Sequence, residues 1–373
     1  MIGGGLQSDA VGGLLGRAVD AGLALRWVGL AAREGGAGMC WSAAGTRLDG
    51  EEEADLRFDL ASLTKPLATA TLLLLARRDG LDLEQPVAEI VPELAGSPWN
   101  GVTFEQCATH TAGFPAWAPL YASGCGRDAY LDALRRVEPV AAAGSRVEYS
   151  CLGFLALGIA LERAGGADLG VLFADLVAEP LGLAQELGFA PPADATVAPG
   201  ERRWFVEERA LTARGISAAP PPAPAGVWPC DDGNARGLGG VAGNAGLFGT
   251  AAAVARLAAE YLPGGGELLN AAEAELATRC RTDGLEQARG IGWQLASSPG
   301  CSAGPALPAT AFGHTGFTGT SVWSDPDSRA VFVLLGNRLH PGGRTPDLHP
   351  LRRRFHTLAR EAVGAGSHWD EGD

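Results

Sequence analysis

Hydrophobic and polar positions follow different patterns along the chain. Residues 83–215 alternate helical patterns with glycine and proline turns and show little strand pattern. Stretches with a strand pattern flank this region, at 24–31, 38–46, 290–295, 319–324 and 330–335. Amphipathic helices are predicted near each end, over about 9–22 and 351–363. This order of strands, helices, strands and helix predicts an α/β (α+β) fold with one sheet built from both ends of the chain.

One predicted helix is apolar on every side. Residues 67–76 read LATATLLLLA, a pattern typical of a helix buried at the centre of a fold. Pro66 precedes it, and proline is favoured in the first turn of a helix. The helix is therefore predicted to begin at Ser62 or just beside it.

Composition and charge restrict the possible partners. Hydrophobic residues make up 46% of the 373 positions, which is sufficient for a large core. The net charge of −14 argues against nucleic acid, because phosphate binding needs a cationic face, and against anionic membranes. The basic run at 352–354 is interpreted as a solvated helix face. Residues 1–6 lack a signal-peptide pattern and no apolar run approaches the ~18 residues of a spanning helix, so we expect a cytoplasmic protein without membrane insertion.

No cofactor or metal is predicted. The seven cysteines contain no Cys-x-x-Cys pair, and the six histidines lack HExxH-type spacing. A glycine pattern at 237–242 loosely fits a dinucleotide fingerprint, but no strand precedes it, so a loop at the rim of a site is expected instead. The pattern does not specify an oligomeric state.

Lysine occurs once in the chain, as Lys65, although Lys and Arg together number 29. It follows Ser62 by three residues, which places both side chains on one helix face. Ser62 could simply cap the helix, but a capping box would carry Glu or Gln at the third position. The helix dipole and burial are expected to lower the pKa of Lys65, so that it can act as a base. We interpret the pair as an activated nucleophile.

Further motifs accompany the Ser-x-x-Lys pair. Residues 146–154 (RVEYSCLGF) resemble the Tyr-Ser-Asn-x-Gly-Tyr segment of class C β-lactamases and related esterases and D,D-peptidases. Residues 313–320 (GHTGFTGT) resemble their Lys-Thr-Gly strand, in the His-Thr-Gly form of esterase-like members. Segments that resemble the same family in the same order are 81–87, 109–115, 246–251 and 334–338. Over about 10–365, the chain resembles a member of the serine β-lactamase/penicillin-binding-protein-like superfamily.

This resemblance implies a β-lactamase/transpeptidase-like fold. In that fold an antiparallel sheet flanked by the terminal helices packs on an all-helical domain, with the active site between them. We expect one catalytic unit over 1–373. Its sheet subdomain would comprise 1–80 and 285–373, and a mainly helical subdomain with loop insertions would cover 81–284.

The resemblance also implies roles for individual residues. Ser62 would attack a carbonyl and form an acyl-enzyme, while Lys65 would accept or relay the serine proton. Tyr149 would be the partner base beside Lys65, since an ordinary tyrosine ionises only near pH ~10. The oxyanion hole would consist of the backbone N–H groups of Ser62 and Phe317. The predicted substrate-binding residues are His314, Thr315, Gly316, Cys151 and Trp117.

Two positions depart from the family pattern. Cys151 stands where the family often has Asn, and a thiol is only a weak donor and acceptor. The interpretation that we favour for Cys151 itself is a small buried residue that fills space. His314 replaces a lysine, and an ordinary histidine is mostly uncharged at neutral pH. Both changes favour carboxylic esters over peptides that end in D-Ala-D-Ala.

Three functions remain compatible with these residues. The leading hypothesis is a serine hydrolase that acts on esters or related small acyl compounds through an acyl-enzyme. An alternative is a β-lactamase or D,D-carboxypeptidase, although such enzymes act outside the cytoplasm. The third is a catalytically weak ligand-binding module, which Cys151 favours and the joint presence of Ser62, Lys65 and Tyr149 disfavours.

Overall fold

The computed structural model describes residues 5–33, 39–44, 55–189, 191–201, 204–221, 230–340 and 345–365. Within these ranges the α-helices are α1 Gly5–Asp20, α2 Thr71–Arg78, α3 Phe104–Ala108, α4 Arg127–Leu134, α5 Cys151–Gly165, α6 Leu169–Phe173, α7 Phe205–Ala213, α8 Gly233–Gly237, α9 Ala251–Ala259, α10 Ala271–Thr278 and α11 His349–Ala365. The strands are β1 Arg26–Arg33, β2 Met39–Ala44, β3 Phe58–Asp59, β4 Leu187–Gly188, β5 Phe248–Gly249, β6 Gln294–Leu295, β7 Phe312–Thr315, β8 Ser321–Asp325 and β9 Ala330–Gly336. No helix among them has the length and apolar character needed to cross a membrane.

The larger sheet has its strands in the order β2-β1-β9-β8-β7-β6, and all neighbouring strands are antiparallel. β1 pairs with β9, so that Trp27 lies opposite Gly336. This confirms the prediction of one sheet built from both ends of the chain. Every residue of β8 and β9 is buried, because these central strands are covered on both faces.

Two apolar cores lie on opposite faces of this sheet. On one face, Phe332 of β9 packs in a cluster with Val11 of α1 and Phe355 of α11. On the other face, the neighbouring residue Val333 belongs to the larger core, which includes Leu257 of α9 and most of the helices. Successive residues of a strand point to opposite faces, so the continuous apolar run of β9 serves both cores.

The predicted apolar helix is buried at the centre of the molecule. It starts with a 3-10 turn over Ala61–Leu63 and a π-helical segment over Lys65–Ala70, and continues as α2. Every residue of the π-helical segment is buried. The helix α5 packs beside it with an equally apolar surface. Both helices begin near Ser62, so their amino-terminal ends lie at the same place in the fold.

A small three-stranded sheet, in the order β3-β5-β4, leads into the first of these helices. Phe58 of β3 pairs with Gly249 of β5, and the Leu60 N–H donates to the Leu247 carbonyl oxygen at 2.9 Å. Sequence pattern did not predict this sheet, because strands of two residues are too short to show a periodicity.

The first and last residues of several other helices and strands differ from the predicted ones. The first helix begins at Gly5, and the final helix extends over His349–Ala365. The predicted strand over 290–295 contracts to Gln294–Leu295. The ends of the predicted strand over 38–46 lie outside the described residues. The subdomain boundaries at 80/81 and 284/285 stay a prediction.

Candidate active site

The turn that carries Ser62 is held in an unusual backbone conformation. Ala61, immediately before it, has a φ of 47°, a left-handed region that L-residues rarely adopt. One carboxylate oxygen of Asp59 accepts the Ala61 N–H at 2.8 Å. The Thr64 hydroxyl donates to the Ala61 carbonyl oxygen at 2.6 Å and accepts the Leu247 N–H at 3.1 Å. These bonds compensate for the strain and fix Ser62 at the wall of a cavity.

Lys65 lies directly behind the serine hydroxyl. Its side chain is fully buried, and Nζ donates to Ser62 Oγ at 2.9 Å and to the Asn244 carbonyl oxygen at 3.0 Å. A third contact joins Nζ to Cys151 Sγ at 3.4 Å. The spacing of three residues therefore brings Ser62 and Lys65 together as the sequence predicts.

The charge state of Lys65 differs from the sequence expectation. Burial disfavours the ammonium form, but the attraction of Cys151 and Tyr149 outweighs burial and raises the pKa of Lys65 above its usual value. The predicted lowering was wrong, because the residues that raise the pKa come from a distant part of the sequence. Lys65 is thus a cation that donates a hydrogen bond to the serine hydroxyl.

Cys151 is part of the site and does not merely fill space. It is the first residue of α5, whose amino-terminal N–H groups of Leu152 and Gly153 are capped by the Ser150 hydroxyl. Cys151 is only half-buried, lines the cavity beside Ser62 and contacts Lys65. The interpretation as a buried space-filling residue was therefore wrong.

Tyr149 lies at the centre of a group of cations and imidazole rings. Lys65 Nζ is 5.1 Å from the ring centroid, and the guanidinium of Arg289 is 5.7 Å from it. The rings of His110 and His314 lie 4.5 Å and 5.8 Å away. Tyr149 also lines the cavity, so its phenol ring separates these groups from the space that a substrate would occupy.

The two histidines are neutral. Burial lowers the pKa of His110 and of His314 well below the usual value, and the nearby cations Arg289 and Lys65 lower both further. His110 Nδ1 accepts the Ser150 N–H at 3.1 Å, which positions the start of α5. In His314, Nδ1 donates to the Thr315 carbonyl oxygen at 2.9 Å. His314 therefore supplies no charge at the position where the family has lysine.

The end of β7 is locked against the serine turn. The hydroxyl of Thr318 donates to the Asp59 carbonyl oxygen at 2.6 Å, and that of Thr320 donates to the Leu60 carbonyl oxygen at 3.1 Å. A Cβ at Gly316 would overlap Thr320 Oγ1 and the Leu60 carbonyl oxygen, so only glycine permits this approach. These contacts hold the end of β7 against the serine turn, and both Ser62 and Phe317 line the same cavity; the oxyanion hole itself stays a prediction.

A cavity of about 540 Å³ opens in front of Ser62. Thr315, Gly316 and Phe317 form one wall, and Trp117 forms part of another, with the Arg214 guanidinium 5.0 Å from its ring. Of the predicted site residues, all but Lys65 and His314 line the cavity, and these two lie directly behind it. Their chemical roles stay a prediction.

Two arginines at the rim were not predicted as site residues. Arg352 donates to the Gly316 and Thr320 carbonyl oxygens at 2.7 Å and 3.0 Å, so the interpretation of 352–354 as a solvated helix face was wrong for this residue. Arg338 lies with its guanidinium 4.6 Å from the centre of the Phe317 ring. Burial lowers the pKa of Arg338 to about 10 and of Arg352 to about 9. Both remain cations at neutral pH and line the cavity.

Carboxyl groups lie in and beside the cavity, and Glu207 and Asp231 line it. Burial raises the pKa of Asp59 to about 6 and of Glu207 to about 7. A hydrogen bond from the Asp231 N–H to Asp59 at 2.6 Å joins the serine turn to this group. Glu207 carries no local motif, so the sequence did not point to it. Within the described residues, no group of these side chains has the arrangement of a metal site.

The amino-acid sequence is similar to a known family and to named proteins of that family's type. The family model described as Beta-lactamase matches residues 9–356. An Escherichia coli (strain K12) protein named "Putative D-alanyl-D-alanine carboxypeptidase" is 28% identical over 324 residues, which cover 79% of this chain and 71% of that protein. A protein of the same name from Salmonella agona (strain SL483) is 27% identical, with 79% and 72% covered.

Solved structures share the fold at lower sequence identity. EstCE1, a hydrolase with promiscuous acyltransferase activity, superposes with a TM-score of 0.72 at 22% identity and covers 94% of this chain and 98% of its own. A class C β-lactamase superposes with a TM-score of 0.70 at 18% identity, with 98% and 97% covered. A penicillin-binding protein homologue from Caulobacter crescentus gives a TM-score of 0.68 at 22% identity, with 96% and 98% covered.

Proposed function

Because the chain belongs to the Beta-lactamase family of serine hydrolases, we propose that it hydrolyses carboxylic esters of small acyl compounds through an acyl-enzyme on Ser62. The observation that carries this proposal is the bond of 2.9 Å between the buried Lys65 ammonium and Ser62 Oγ, with Tyr149 beside them. A hydroxyl held in this way at a cavity wall has the arrangement of an activated nucleophile.

In the proposed reaction, Ser62 Oγ attacks the ester carbonyl carbon and Tyr149 accepts the serine proton. The negative carbonyl oxygen that forms is stabilised by the N–H groups of Ser62 and Phe317. Tyr149 then gives its proton to the departing alcohol as the C–O bond breaks, which leaves the acyl group on Ser62. A water molecule repeats the sequence, with Tyr149 again as base, and releases the acid.

Two features support an ester rather than an amide substrate. The Cys151 thiol stands at the cavity wall, where an amide side chain would recognise a peptide bond through stronger hydrogen bonds. His314 is neutral, so β7 presents no cation to a substrate carboxylate. The structural similarity to EstCE1, itself described as a hydrolase, is consistent with this proposal.

D,D-carboxypeptidase activity is the second candidate. Arg338 and Arg352 line the cavity near Phe317, and both could attract a terminal carboxylate. The names of the Escherichia coli and Salmonella relatives point in the same direction. We rank it second because Cys151 provides weak recognition of an amide.

The deciding experiment compares three substrates, namely p-nitrophenyl butyrate, nitrocefin and a peptide that ends in D-Ala-D-Ala. We expect the wild-type protein to turn over the ester, Ser62→Ala to lose that activity by a factor of at least ~10³, and nitrocefin to be cleaved slowly. Ser145→Ala is the matched control, because the exposed Ser145 hydroxyl bonds only its own turn at Ala142. Faster cleavage of nitrocefin or the peptide than of the ester would reject the ester proposal in favour of the second candidate. Equal ester turnover by Ser62→Ala would reject both.

A further inference from the structure

Arg289 is a buried cation with an unusual set of neighbours. It lies just before β6, where its side chain is only 6% exposed. One guanidinium nitrogen donates to the Gln287 side-chain oxygen at 2.7 Å, so this hydrogen-bond partner is a neutral amide. The guanidinium carbon is 5.7 Å from the centre of the Tyr149 ring. A buried charge is costly unless an opposite charge compensates for it. Arg289 is therefore expected to lie beside a group that can carry a negative charge.

Among the described residues, the other groups in contact with the Tyr149 ring carry no negative charge, and the carboxylate of Glu286 accepts the Val147 N–H at 3.2 Å. Lys65 approaches the ring from the serine turn as a cation, and His110 and His314 are neutral. On the segment of Tyr149 itself, Cys151 contacts Lys65, and Glu148 is paired with Arg146 at 2.9 Å. The phenol is thus the group between two cations that can become an anion during the reaction.

We propose that Arg289 is a positioning residue that stabilises the phenolate form of Tyr149, the form that accepts the serine proton. Its electrostatic action passes through Tyr149, since Arg289 does not line the cavity. This inference rests on the proposed role of Tyr149 as the base. Arg289 thus supplies a positive charge beside Tyr149, on the side away from the cavity. His314, which is neutral, supplies no such charge from β7.

The chain allows a direct test without any substrate. It contains four tyrosines, and burial raises the pKa of Tyr121, Tyr130 and Tyr261 above the usual range. In an ultraviolet absorbance titration these three phenols should therefore ionise only at high pH. The step that is lost in a Tyr149→Phe variant is the one that belongs to Tyr149.

Two variants remove the positive charge in different ways. Arg289→Met deletes the guanidinium, whereas Gln287→Glu leaves it in place and neutralises it with a carboxylate. In both, we expect the midpoint of the Tyr149 step to move at least ~1 pH unit higher, as removal of an opposite charge at this distance predicts. Arg289→Lys should restore the midpoint to within ~0.5 unit. Arg163→Met, which removes the same charge at the far end of α5, is the control and should leave it unchanged.

The acid limb of the pH profile of kcat/KM for p-nitrophenyl butyrate should move to higher pH by the same amount, since a phenol that holds its proton more tightly is a base only at higher pH. An unchanged midpoint in Arg289→Met overturns the inference. If that variant does not fold, an unchanged midpoint in Gln287→Glu overturns it equally. Ester turnover that survives in Ser62→Ala would reject the proposed function, whereas the titration would still decide whether Arg289 stabilises the phenolate.

Discussion

At the residue scale, Cys151 would determine which hydrogen bonds a substrate meets beside Ser62 in the proposed reaction. Its thiol contacts Lys65 at 3.4 Å and faces the cavity. A thiol donates and accepts only weakly, whereas an amide at the same place would offer a strong donor and a strong acceptor. The identity of this one residue should therefore change the preference between esters and amides more than it changes the rate of ester cleavage.

We predict that Cys151→Asn raises the ratio of kcat/KM for nitrocefin to kcat/KM for p-nitrophenyl butyrate roughly tenfold, the equivalent of one hydrogen bond of ~1.4 kcal/mol. Steady-state kinetics on both substrates measures the ratio. Cys125→Asn is the matched control, because Cys125 is exposed and does not line the cavity. An unchanged ratio in Cys151→Asn would show that the thiol does not set the preference.

The sequence was most informative about individual site residues where a residue type is rare in the chain. Lys65 could be singled out as the sole lysine, and its neighbour Ser62 followed from helix geometry. The charge state of Lys65 could not be predicted, because Cys151 and Tyr149 determine it and their distance from Lys65 is a property of the fold. Arg289 and Glu207 could not be singled out either, since Arg and Glu are common in this chain.

At the element scale, the close contact between β7 and the serine turn depends on Gly316, because glycine has no side chain. Thr318 and Thr320 bind the backbone oxygens of Asp59 and Leu60, and Gly316 allows the two segments to touch. Any increase in their separation would move the Phe317 N–H away from the carbonyl oxygen of a bound substrate. Catalysis should therefore be more sensitive than stability to a methyl group at this contact.

We predict that Gly316→Ala lowers kcat/KM for p-nitrophenyl butyrate by about 10²–10³, the effect of a lost oxyanion-hole donor. The thermal midpoint should fall by only a few degrees, as for a small overpacking of ~1–3 kcal/mol in a chain of this size. Gly101→Ala serves as control, since a Cβ there would meet open space. Full activity in Gly316→Ala would mean that the Phe317 N–H does not contribute to the reaction.

Elements with a long, regular pattern were predictable, and short elements were not. The apolar run at 67–76 and the strand Ala330–Gly336 were identified because burial on all sides leaves an uninterrupted apolar sequence. The pattern alone did not reveal β7, because its four residues include a glycine and a histidine, and only family resemblance pointed to it. The π-helical start at Lys65 has no counterpart in the sequence pattern either.

At the scale of the whole molecule, the cavity is lined by both basic and acidic side chains. Arg338 and Arg352 lie near β7, and Glu207 and Asp231 line the same cavity. The order of strands and helices allowed the sheet to be predicted from both ends of the chain. The carboxyl groups near the cavity could not be predicted, because Asp59, Glu207 and Asp231 come from distant segments of the chain.

Glu207 should make the stability of the whole fold depend on pH. Its carboxylate accepts the Tyr121 hydroxyl and the Gly233 N–H, each at 2.7 Å, and burial raises its pKa from 4.5 to about 7. The folded protein thus holds this proton more tightly than the unfolded chain does. The resulting stabilisation is complete below pH 4.5 and is lost as the pH rises through about 7.

We predict that Glu207→Gln removes this dependence, because an amide can satisfy both hydrogen bonds without titrating. At about 1.4 kcal/mol per pH unit, the interval from 4.5 to about 7 limits the effect to about 3 kcal/mol. Urea unfolding from pH 4 to pH 8 should therefore show that Glu207→Gln gains stability relative to wild type as the pH rises. The exposed neighbour Glu208→Gln should follow the wild type, and identical curves for all three proteins would refute the linkage.

The pairing of β1 with β9 determines when the site can exist during synthesis. A ribosome that adds ~5–20 residues per second exposes β1 and Ser62 roughly 15–60 s before β9 emerges. Until then, β1 has no partner on that side, and β7 is not yet present to hold the serine turn. A nascent chain therefore carries Ser62, the proposed nucleophile, and Lys65 for most of its synthesis without the strands that arrange them. Ser62 is translated early, whereas its surroundings are complete only after β7 and β9 have been made.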